Sequence, residues 1–292
     1  MESCFLGNER LRVEYLARGA ELRSVRLDSG QELLWSGDPA VWGRVSPVLF
    51  PVVGRLKDDL LHHGGQSYAM AQHGFARDRT FRLLESSRER CLWSLEDDAE
   101  SRAQFPFPFE LRIAYALNGA ALDVTYELRN PGPGPLPASL GAHPAFRWPL
   151  GEMPREGHWL HFAQPEPAPV RRLREGLLAP ELHPTPVEGT TLSLRDELFE
   201  ADALIFPDLQ SREVFYGAPE GISLRFHWEG FPHFGLWSKP GAGFLCLEPW
   251  HGFASPWDFA GDFLQKPGVM VLNPGETRSF RWGIEVMAAP ER

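Results

Sequence analysis

The chain has 292 residues, of which 43% are hydrophobic and 23% charged, as in globular proteins that bury a large core. The net charge of −10 argues against nucleic acid or a membrane surface as a partner. The three cysteines lack CxxC spacing, and no run approaches the ~20 apolar residues that cross a bilayer. We expect no secretory signal, a cytoplasmic location, and either a monomer or a homodimer.

Apolar and polar residues alternate with the period of half-buried antiparallel strands. The clearest runs are residues 11–15, 111–117, 122–128, 222–228 and 280–286. Asn118 and Gly119 lie between two of these runs and predict a tight hairpin turn. The expected helices are short, for example around residues 39–42 and 191–198. The prediction is an all-β fold, a large antiparallel β-sandwich with few short helices.

Glycine (28 residues) and proline (27 residues) are spread along the chain and leave little room for long helices. Residues 131–135 (Pro-Gly-Pro-Gly-Pro) have the composition of a linker. Strand patterning continues on both sides, so we interpret them as a surface loop. Residues 1–292 are therefore expected to form a single domain.

Two segments in the first third of the chain carry candidate binding groups. Residues 50–55 (Phe-Pro-Val-Val-Gly-Arg) present Arg55 after a turn, where its donors suit sugar hydroxyls, a carboxylate or a phosphate. The alternative is a solvated loop arginine. In residues 72–77 (Gln-His-Gly-Phe-Ala-Arg), His73 precedes a glycine that permits close approach, and Arg77 would favour a neutral imidazole. A structural, hydrogen-bonded histidine remains the alternative.

His143 lies in an apolar segment, residues 140–146 (Leu-Gly-Ala-His-Pro-Ala-Phe). The proline after it favours an extended or turn conformation. A buried imidazole needs a partner, so His143 is either a hydrogen-bonding structural residue or a catalytic one.

Glu248 follows an apolar strand and shares a face with Phe244 and Cys246, and Pro249 is expected to end the strand's ladder. Partial burial would raise the pKa of this carboxylate and make it a better base than a surface glutamate. The alternative is a glutamate in a salt bridge at a strand end. Asp202 opens another apolar run and is either a ligand for sugar hydroxyls or a turn residue.

Several other chemistries fit poorly. The sequence has no G-x-S-x-G, P-loop or H-E-x-x-H motif. His158 and His161 lie three residues apart without the flanking pattern of a metal site. A two-carboxylate glycosidase needs two acidic residues in suitable surroundings, and in this sequence only Glu248 has such surroundings.

In the order of its motifs the chain resembles the aldose 1-epimerase (galactose mutarotase-like) family, and within it the bacterial LacX-like branch. The resemblance runs from about Leu11 to Val286. Its motifs are residues 50–55, 72–77, 140–146, Asp202 before an apolar strand, and residues 247–250 (Leu-Glu-Pro-Trp). It implies a β-supersandwich with its site in the concave face of one sheet.

The resemblance also implies roles for these residues in the interconversion of the α and β anomers of a hexose such as galactose. Glu248 would be the general base, His143 the general acid and His73 a second group that polarises the ring oxygen. Arg55 and Asp202 would bind the substrate, and Arg77 is a further binding candidate. No metal or other cofactor is expected, and the partner is a small aldose.

Two alternatives stay open. Residues 72–77 also resemble hexose-6-phosphate mutarotases, in which Arg55, Arg77 and Lys57 would hold a phosphate. A carbohydrate-binding protein without catalysis would keep the aromatic residues, Arg55 and Asp202, but would not need a buried base with two imidazoles.

Overall fold

The computed structural model describes residues 3–287 of the chain. Most of the regular structure is antiparallel strand. In chain order the strands are β1 (Ser3–Gly7), β2 (Leu11–Leu16), β3 (Glu21–Leu27), β4 (Val48–Leu49), β5 (Leu60–His63), β6 (Gln66–Ala69), β7 (Arg82–Ser86), β8 (Arg90–Glu96), β9 (Glu110–Asn118), β10 (Ala121–Arg129), β11 (Leu136–Ala138), β12 (Leu140–Ala142), β13 (Ala145–Arg147), β14 (Trp159–Phe162), β15 (Leu173–Arg174), β16 (Leu177–Leu178), β17 (Thr191–Ser193), β18 (Leu204–Phe206), β19 (Glu213–Gly217), β20 (Ser223–Glu229), β21 (His233–Trp237), β22 (Phe244–His251), β23 (Met270–Leu272) and β24 (Thr277–Met287).

The helices among residues 3–287 are short. They are the α-helix α1 (Ala99–Arg102) and four 3-10 turns, Lys57–Asp59, Ala76–Asp78, Asp196–Phe199 and Phe263–Gln265. None of these described helices has the length and apolar composition required to cross a membrane.

Two large antiparallel sheets dominate the architecture. One has nine strands in the order β17-β14-β19-β20-β24-β10-β9-β8-β7. The other has the order β18-β21-β22-β12-β4, with β13 also paired to β22. A three-stranded sheet (β1-β2-β3) and the pairs β11-β23, β15-β16 and β5-β6 complete the described strands.

The two large sheets pack face to face through aromatic side chains. Phe234 on β21 lies 4.4 Å from Trp228 and 6.1 Å from Phe226, both on β20, measured between ring centroids. Phe146 on β13 contacts Phe226 at 6.0 Å. One hydrophobic cluster extends from Leu6 to Ile284. The predicted all-β sandwich with few short helices is confirmed.

Strand β22 is buried on both of its faces, and the two faces have different surroundings. Leu245 and Leu247 belong to the core between the sheets. Cys246 and Trp250, on the other face, belong to two smaller clusters. Glu248 shares that second face because side chains alternate along a strand. The sheet therefore holds a buried carboxylate on the side that faces away from the main core.

Local predictions had mixed outcomes. The hairpin is confirmed: Asn118 pairs with Ala121 across a two-residue loop, and Gly119 has a φ of 57°.

The helix expected at residues 39–42 is wrong. Two amides donate to the carbonyl oxygen of Asp38 and form a single turn that does not continue.

The helix expected at residues 191–198 is correct only in its second half. Thr191, a β-branched residue, lies in strand β17 and pairs with His161 of strand β14. Arg195 is extended, with a φ of −156°, and separates this strand from the 3-10 turn Asp196–Phe199.

Candidate active site

A cavity of about 320 Å³ opens on the face of the six-stranded sheet that carries Glu248. Five of the six predicted site residues line it: Glu248, His143, His73, Asp202 and Arg77. Its volume lies at the small end of the range for small-molecule pockets, roughly 300–1,000 Å³. The sheet thus brings together residues that are up to 175 positions apart in the chain, from His73 to Glu248.

The register of β22 brings the acid and the imidazole together. Before a break in the neighbouring strand, Gly141 of β12 pairs with Trp250. After the break, Ala145 of β13 pairs with Cys246. The register is the same on both sides of the break. The residue midway between Gly141 and Ala145 therefore lies opposite the residue midway between Cys246 and Trp250.

His143 is that residue, and Glu248 lies opposite it. The distance from His143 Nε2 to Glu248 Oε2 is 3.2 Å, and the two side chains are 9% and 1% exposed. The contact does not have the angles of a hydrogen bond. Among the described residues, Glu248 Oε2 has no hydrogen-bond partner, and neither has the other ring nitrogen of His143, Nδ1. Unpaired buried polar atoms are costly and are typical of functional sites that await a ligand.

Burial shifts the pKa values of this pair in opposite directions. Desolvation raises the pKa of Glu248 well above its usual range, and the nearby Asp202 adds to the shift. Desolvation lowers the pKa of His143 to about 3. Burial therefore favours the neutral form of both groups, a protonated carboxyl beside a neutral imidazole.

Pro249 does not end the strand, contrary to the prediction. It pairs with Phe234 of β21, and β22 continues to His251. The amide of Leu247, two residues earlier, donates to Pro144 in the break between β12 and β13. The nitrogen of Pro249 faces the same side, where the pairing of β22 with β12 includes Trp250 and His251 but not Pro249, so no donor is required there.

Glycines fix the position of the His73 turn. Gly74 has a φ of 71°, and a Cβ there would lie 2.2 Å from the carbonyl oxygen of Phe50. Only glycine permits this approach, which lets the turn dock on residues 50–54. The amide of His73 then donates to the carbonyl of Gly54 at 2.9 Å.

The same contact fixes the protonation of the His73 ring. The amide of Gly54 donates to His73 Nδ1 at 3.1 Å. Desolvation, with His143 and Arg77 nearby, lowers the pKa of His73 well below its usual value. The ring is therefore neutral, and since Nδ1 is an acceptor, its proton is on Nε2.

Arg77 and Asp202 add opposite charges to the cavity wall. Arg77 donates to the carbonyl of Gln72 at 2.7 Å. Burial lowers the pKa of Arg77 to about 10, which leaves it charged at neutral pH. Asp202 has a φ of 65° and accepts a hydrogen bond from the amide of Ala203 at 2.7 Å.

Arg55 is the predicted site residue that does not line the cavity. Its guanidinium makes two 2.7 Å hydrogen bonds to the carboxylate of Asp59. A third bond, at 3.3 Å, goes to the carbonyl of Glu175. Its role in substrate binding stays a prediction.

Two tryptophans that sequence patterns did not single out enclose the imidazole of His143. Trp42 stacks on it, with ring centroids 5.0 Å apart and an interplanar angle of 29°. Trp237 meets it edge-on at 5.7 Å. Lys239 lines the same wall and donates to the carbonyl of Val41, next to Trp42. The ten tryptophans of the chain indicated that some could stack on a sugar, but their positions in the sequence did not show which ones line the cavity and which belong to the core.

One group among the described residues has the donors for a metal ion. One ligand atom each of His143, Cys246 and Glu248 lies within 4.8 Å of the other two. All three side chains are buried.

The chain is similar in sequence to a known protein family. The sequence model of the family described as aldose 1-epimerase matches residues 3–284. Protein LacX (plasmid) of Lactococcus lactis subsp. lactis is 31% identical over 294 residues, covering 97% of this chain and 98% of that protein.

Solved structures show the same fold. A galactose mutarotase-related enzyme from Lactobacillus acidophilus has a TM-score of 0.91 at 30% identity, covering 99% of this chain and 98% of that one. A galactose mutarotase-like protein from Lactobacillus casei has a TM-score of 0.91 at 26% identity, covering 98% and 100%. The chain therefore belongs to the aldose 1-epimerase family and is an isomerase of the mutarotase type.

Proposed function

We propose that the protein is an aldose 1-epimerase that interconverts the α and β anomers of a hexose by opening and closing the sugar ring. The observation that carries this proposal is the buried pair of Glu248 and His143, 3.2 Å apart on the cavity wall. Mutarotation needs a base and an acid that act together, and such a pair supplies both from a single proton.

The pair reaches its active state without a change in net charge. Moving the proton from Glu248 to His143 creates a carboxylate beside an imidazolium. The carboxylate then removes the proton from the anomeric hydroxyl, while the imidazolium gives its proton to the ring oxygen. The bond between the anomeric carbon and the ring oxygen breaks, and the open chain carries an aldehyde. Glu248 is again protonated and His143 is again neutral.

Ring closure runs the same steps in reverse. The aldehyde rotates about the bond to its neighbouring carbon and presents its other face. The hydroxyl that was the ring oxygen attacks the carbonyl carbon and loses its proton to His143. Glu248 returns its proton to the carbonyl oxygen. The product is the opposite anomer, and the pair again holds one proton.

Other wall residues orient the sugar in this proposal. Neutral His73 carries its proton on Nε2 and donates to the ring oxygen or a neighbouring hydroxyl. Arg77 donates to hydroxyls, and Asp202 accepts from them. Trp42 and Trp237 line the cavity and offer apolar surface to the carbon face of the pyranose.

The direct test is anomer exchange followed by two-dimensional NMR on galactose, glucose and xylose. We expect Glu248→Gln to fold normally and to lose roughly 10²–10⁴ of the catalysed exchange rate, because the base is gone. Glu285→Gln is the matched control, since Glu285 lies on the other large sheet and pairs with Arg225. Near wild-type exchange by Glu248→Gln would reject Glu248 as the base.

A phosphorylated hexose is the second candidate substrate. Arg77 and Lys239 both line the cavity, and an adjoining cavity that shares Trp42 and Arg77 is also lined by Arg44. In this case Arg77, Lys239 and Arg44 would hold the phosphate, and Arg55 would not contact it. Faster exchange of glucose 6-phosphate than of glucose, lost in Lys239→Gln, would favour this candidate.

A further inference from the structure

Cys246 stands beside the proposed acid–base pair, and mutarotation gives it no task. It lies two residues before Glu248 on β22, so both side chains project from the same face of the strand. One ligand atom of Cys246, of Glu248 and of His143 lies within 4.8 Å of each of the others.

These donors are the types that bind zinc in proteins. A thiolate, an imidazole and a carboxylate are its usual ligands, and three protein ligands with one open position are typical of accessible zinc sites. Metal–nitrogen and metal–oxygen bonds of about 2.0–2.1 Å in a tetrahedron place the two ligand atoms about 3.3 Å apart. His143 Nε2 and Glu248 Oε2 are 3.2 Å apart.

A second observation points to a ligand at this place. Glu248 is 1% exposed, and its Oε2 has no hydrogen-bond partner among residues 3–287. Glu248 and His143 also line the cavity, so an ion can reach them and keep one position open to water or to a hydroxyl.

We propose that His143, Cys246 and Glu248 form a three-ligand site for a thiophilic divalent cation such as Zn²⁺, and that the bound ion inhibits the enzyme. Binding rests on the geometry of the three ligands alone. The inhibition rests also on the proposed function, because the ion occupies the lone pairs that the base and the acid need.

The protons and charges of the binding step balance. The Cys246 thiol loses its proton to solvent, as does the carboxyl–imidazole pair, so each ion releases two protons. The two anionic ligands and the neutral imidazole then neutralise the dication. No atom changes its oxidation state.

The test uses tag-free full-length protein with Co²⁺ and Zn²⁺ as probes. We expect Co²⁺ to give a thiolate-to-cobalt charge-transfer band and the strong visible bands of a four-coordinate ion, and Zn²⁺ to abolish both. Competition with a chromophoric chelator measures the zinc affinity. Cys246→Ala should weaken it on the order of 100-fold or more, since losing even a supporting group of a metal site costs 10–100-fold.

Matched variants separate this site from other thiols and from misfolding. The double variant Cys4→Ala and Cys91→Ala leaves Cys246 as the sole cysteine and should bind zinc like the wild type. Cys246→Ser preserves the volume of the side chain with a poorer ligand and should behave like Cys246→Ala. Thermal unfolding of each variant shows whether it is folded.

Anomer exchange completes the test. In the wild type, zinc should suppress exchange and a chelator should restore it. In Cys246→Ala, the uninhibited rate should be unchanged, and inhibition should need on the order of 100-fold more zinc.

The possible outcomes separate the two proposals. Equal zinc affinity in the wild type and in both Cys246 variants, or a cobalt spectrum without the thiolate band, would overturn the metal site and leave the proposed function standing. A cobalt spectrum with that band in a protein that never exchanges anomers would support the site and reject the proposed function.

Discussion

One histidine–carboxylate pair on each of the two large sheets has nearly the same separation, but the surroundings of the two pairs are opposite. In the cavity, His143 Nε2 is 3.2 Å from Glu248 Oε2, and the side chains are 9% and 1% exposed. On the nine-stranded sheet, His227 Nε2 is 3.3 Å from Asp123 Oδ1, with side chains that are 26% and 20% exposed. Distance alone would make them equivalent.

The two carboxyl groups nevertheless differ in protonation. The imidazole of His227, 3.3 Å away, lowers the pKa of Asp123, and Arg281 adds to the effect. Desolvation raises the pKa of Glu248 well above its usual range. Solvent access and neighbouring charge, rather than separation, therefore decide the direction in which the pKa of such a carboxyl group shifts.

The largest expected effect of this difference is on catalysis. His143→Gln should lose roughly 10²–10⁴ of the anomer exchange rate, because the acid that protonates the ring oxygen is removed. His227→Gln should keep the wild-type rate, since His227 lies on the other sheet. Exchange NMR at a saturating sugar concentration measures both.

The two matched substitutions can also disprove the proposed difference between the pairs. Equal rates for His143→Gln and His227→Gln would mean that the cavity pair has no special role. Loss in both variants, with unchanged thermal unfolding, would mean that the nine-stranded sheet contributes to the chemistry.

A second expected effect is on the pH dependence of stability, where the two acids should differ in sign. The folded pKa of Glu248 is raised above 4.5, so its contribution is fully present below pH 4.5 and is lost as pH rises. The wild type should therefore lose about 1.4 kcal/mol per pH unit relative to Glu248→Gln as pH rises above that value.

Asp123 should behave in the opposite way. Its folded pKa is lowered from 3.8, so its contribution is present above pH 3.8 and is lost as pH falls. Because the pair is partly exposed and screened, Asp123→Asn should cost less than about 1 kcal/mol, and this cost should disappear as pH falls below 3.8. Urea unfolding at each pH measures both. A flat difference for Glu248→Gln would show that Glu248 is an ordinary carboxylate.

The sheets of this fold were predictable because their signal is local. Alternation with period two marked residues 111–117 and 122–128, which form β9 and β10 with alternate residues buried. The helical turns were less predictable. A few polar residues at 191–198 suit either a strand or a turn, and pairing of Thr191 with His161, thirty residues away, decided part of the outcome.

The members of the candidate site were predictable from motifs, but their arrangement was not. That His143 faces Glu248 depends on a strand register that no single segment encodes. Arg55 shows the limit, because the sequence does not reveal that a turn brings Asp59 onto its guanidinium. Trp42 was hidden for a similar reason, since its contact with His143 joins segments a hundred residues apart.

The smallest expected effects come from the glycines that make room for functional groups in each sheet. A Cβ on Gly283 would lie 2.7 Å from His227 Cε1 and 2.8 Å from Asp123 Oδ1. A Cβ on Gly235 would lie 2.4 Å from the ring of Trp250, which lines the cavity. Each glycine therefore permits a close contact in its own sheet.

Substituting alanine at the two positions should have unequal consequences. Gly235→Ala should destabilise the protein by roughly 1–3 kcal/mol and raise the KM for the sugar, because the Cβ would displace the Trp250 ring, which lines the cavity. Gly283→Ala should also cost roughly 1–3 kcal/mol, because the Cβ would lie 2.8 Å from the backbone carbonyl oxygen of Leu122, which cannot rotate away as the side chains of His227 and Asp123 can, but it should leave KM unchanged. Urea unfolding and exchange rates over a range of sugar concentrations measure the two effects. An increase in KM for Gly283→Ala would contradict the view that the two pairs are independent, because the Gly283 contacts lie in the sheet that does not carry Glu248.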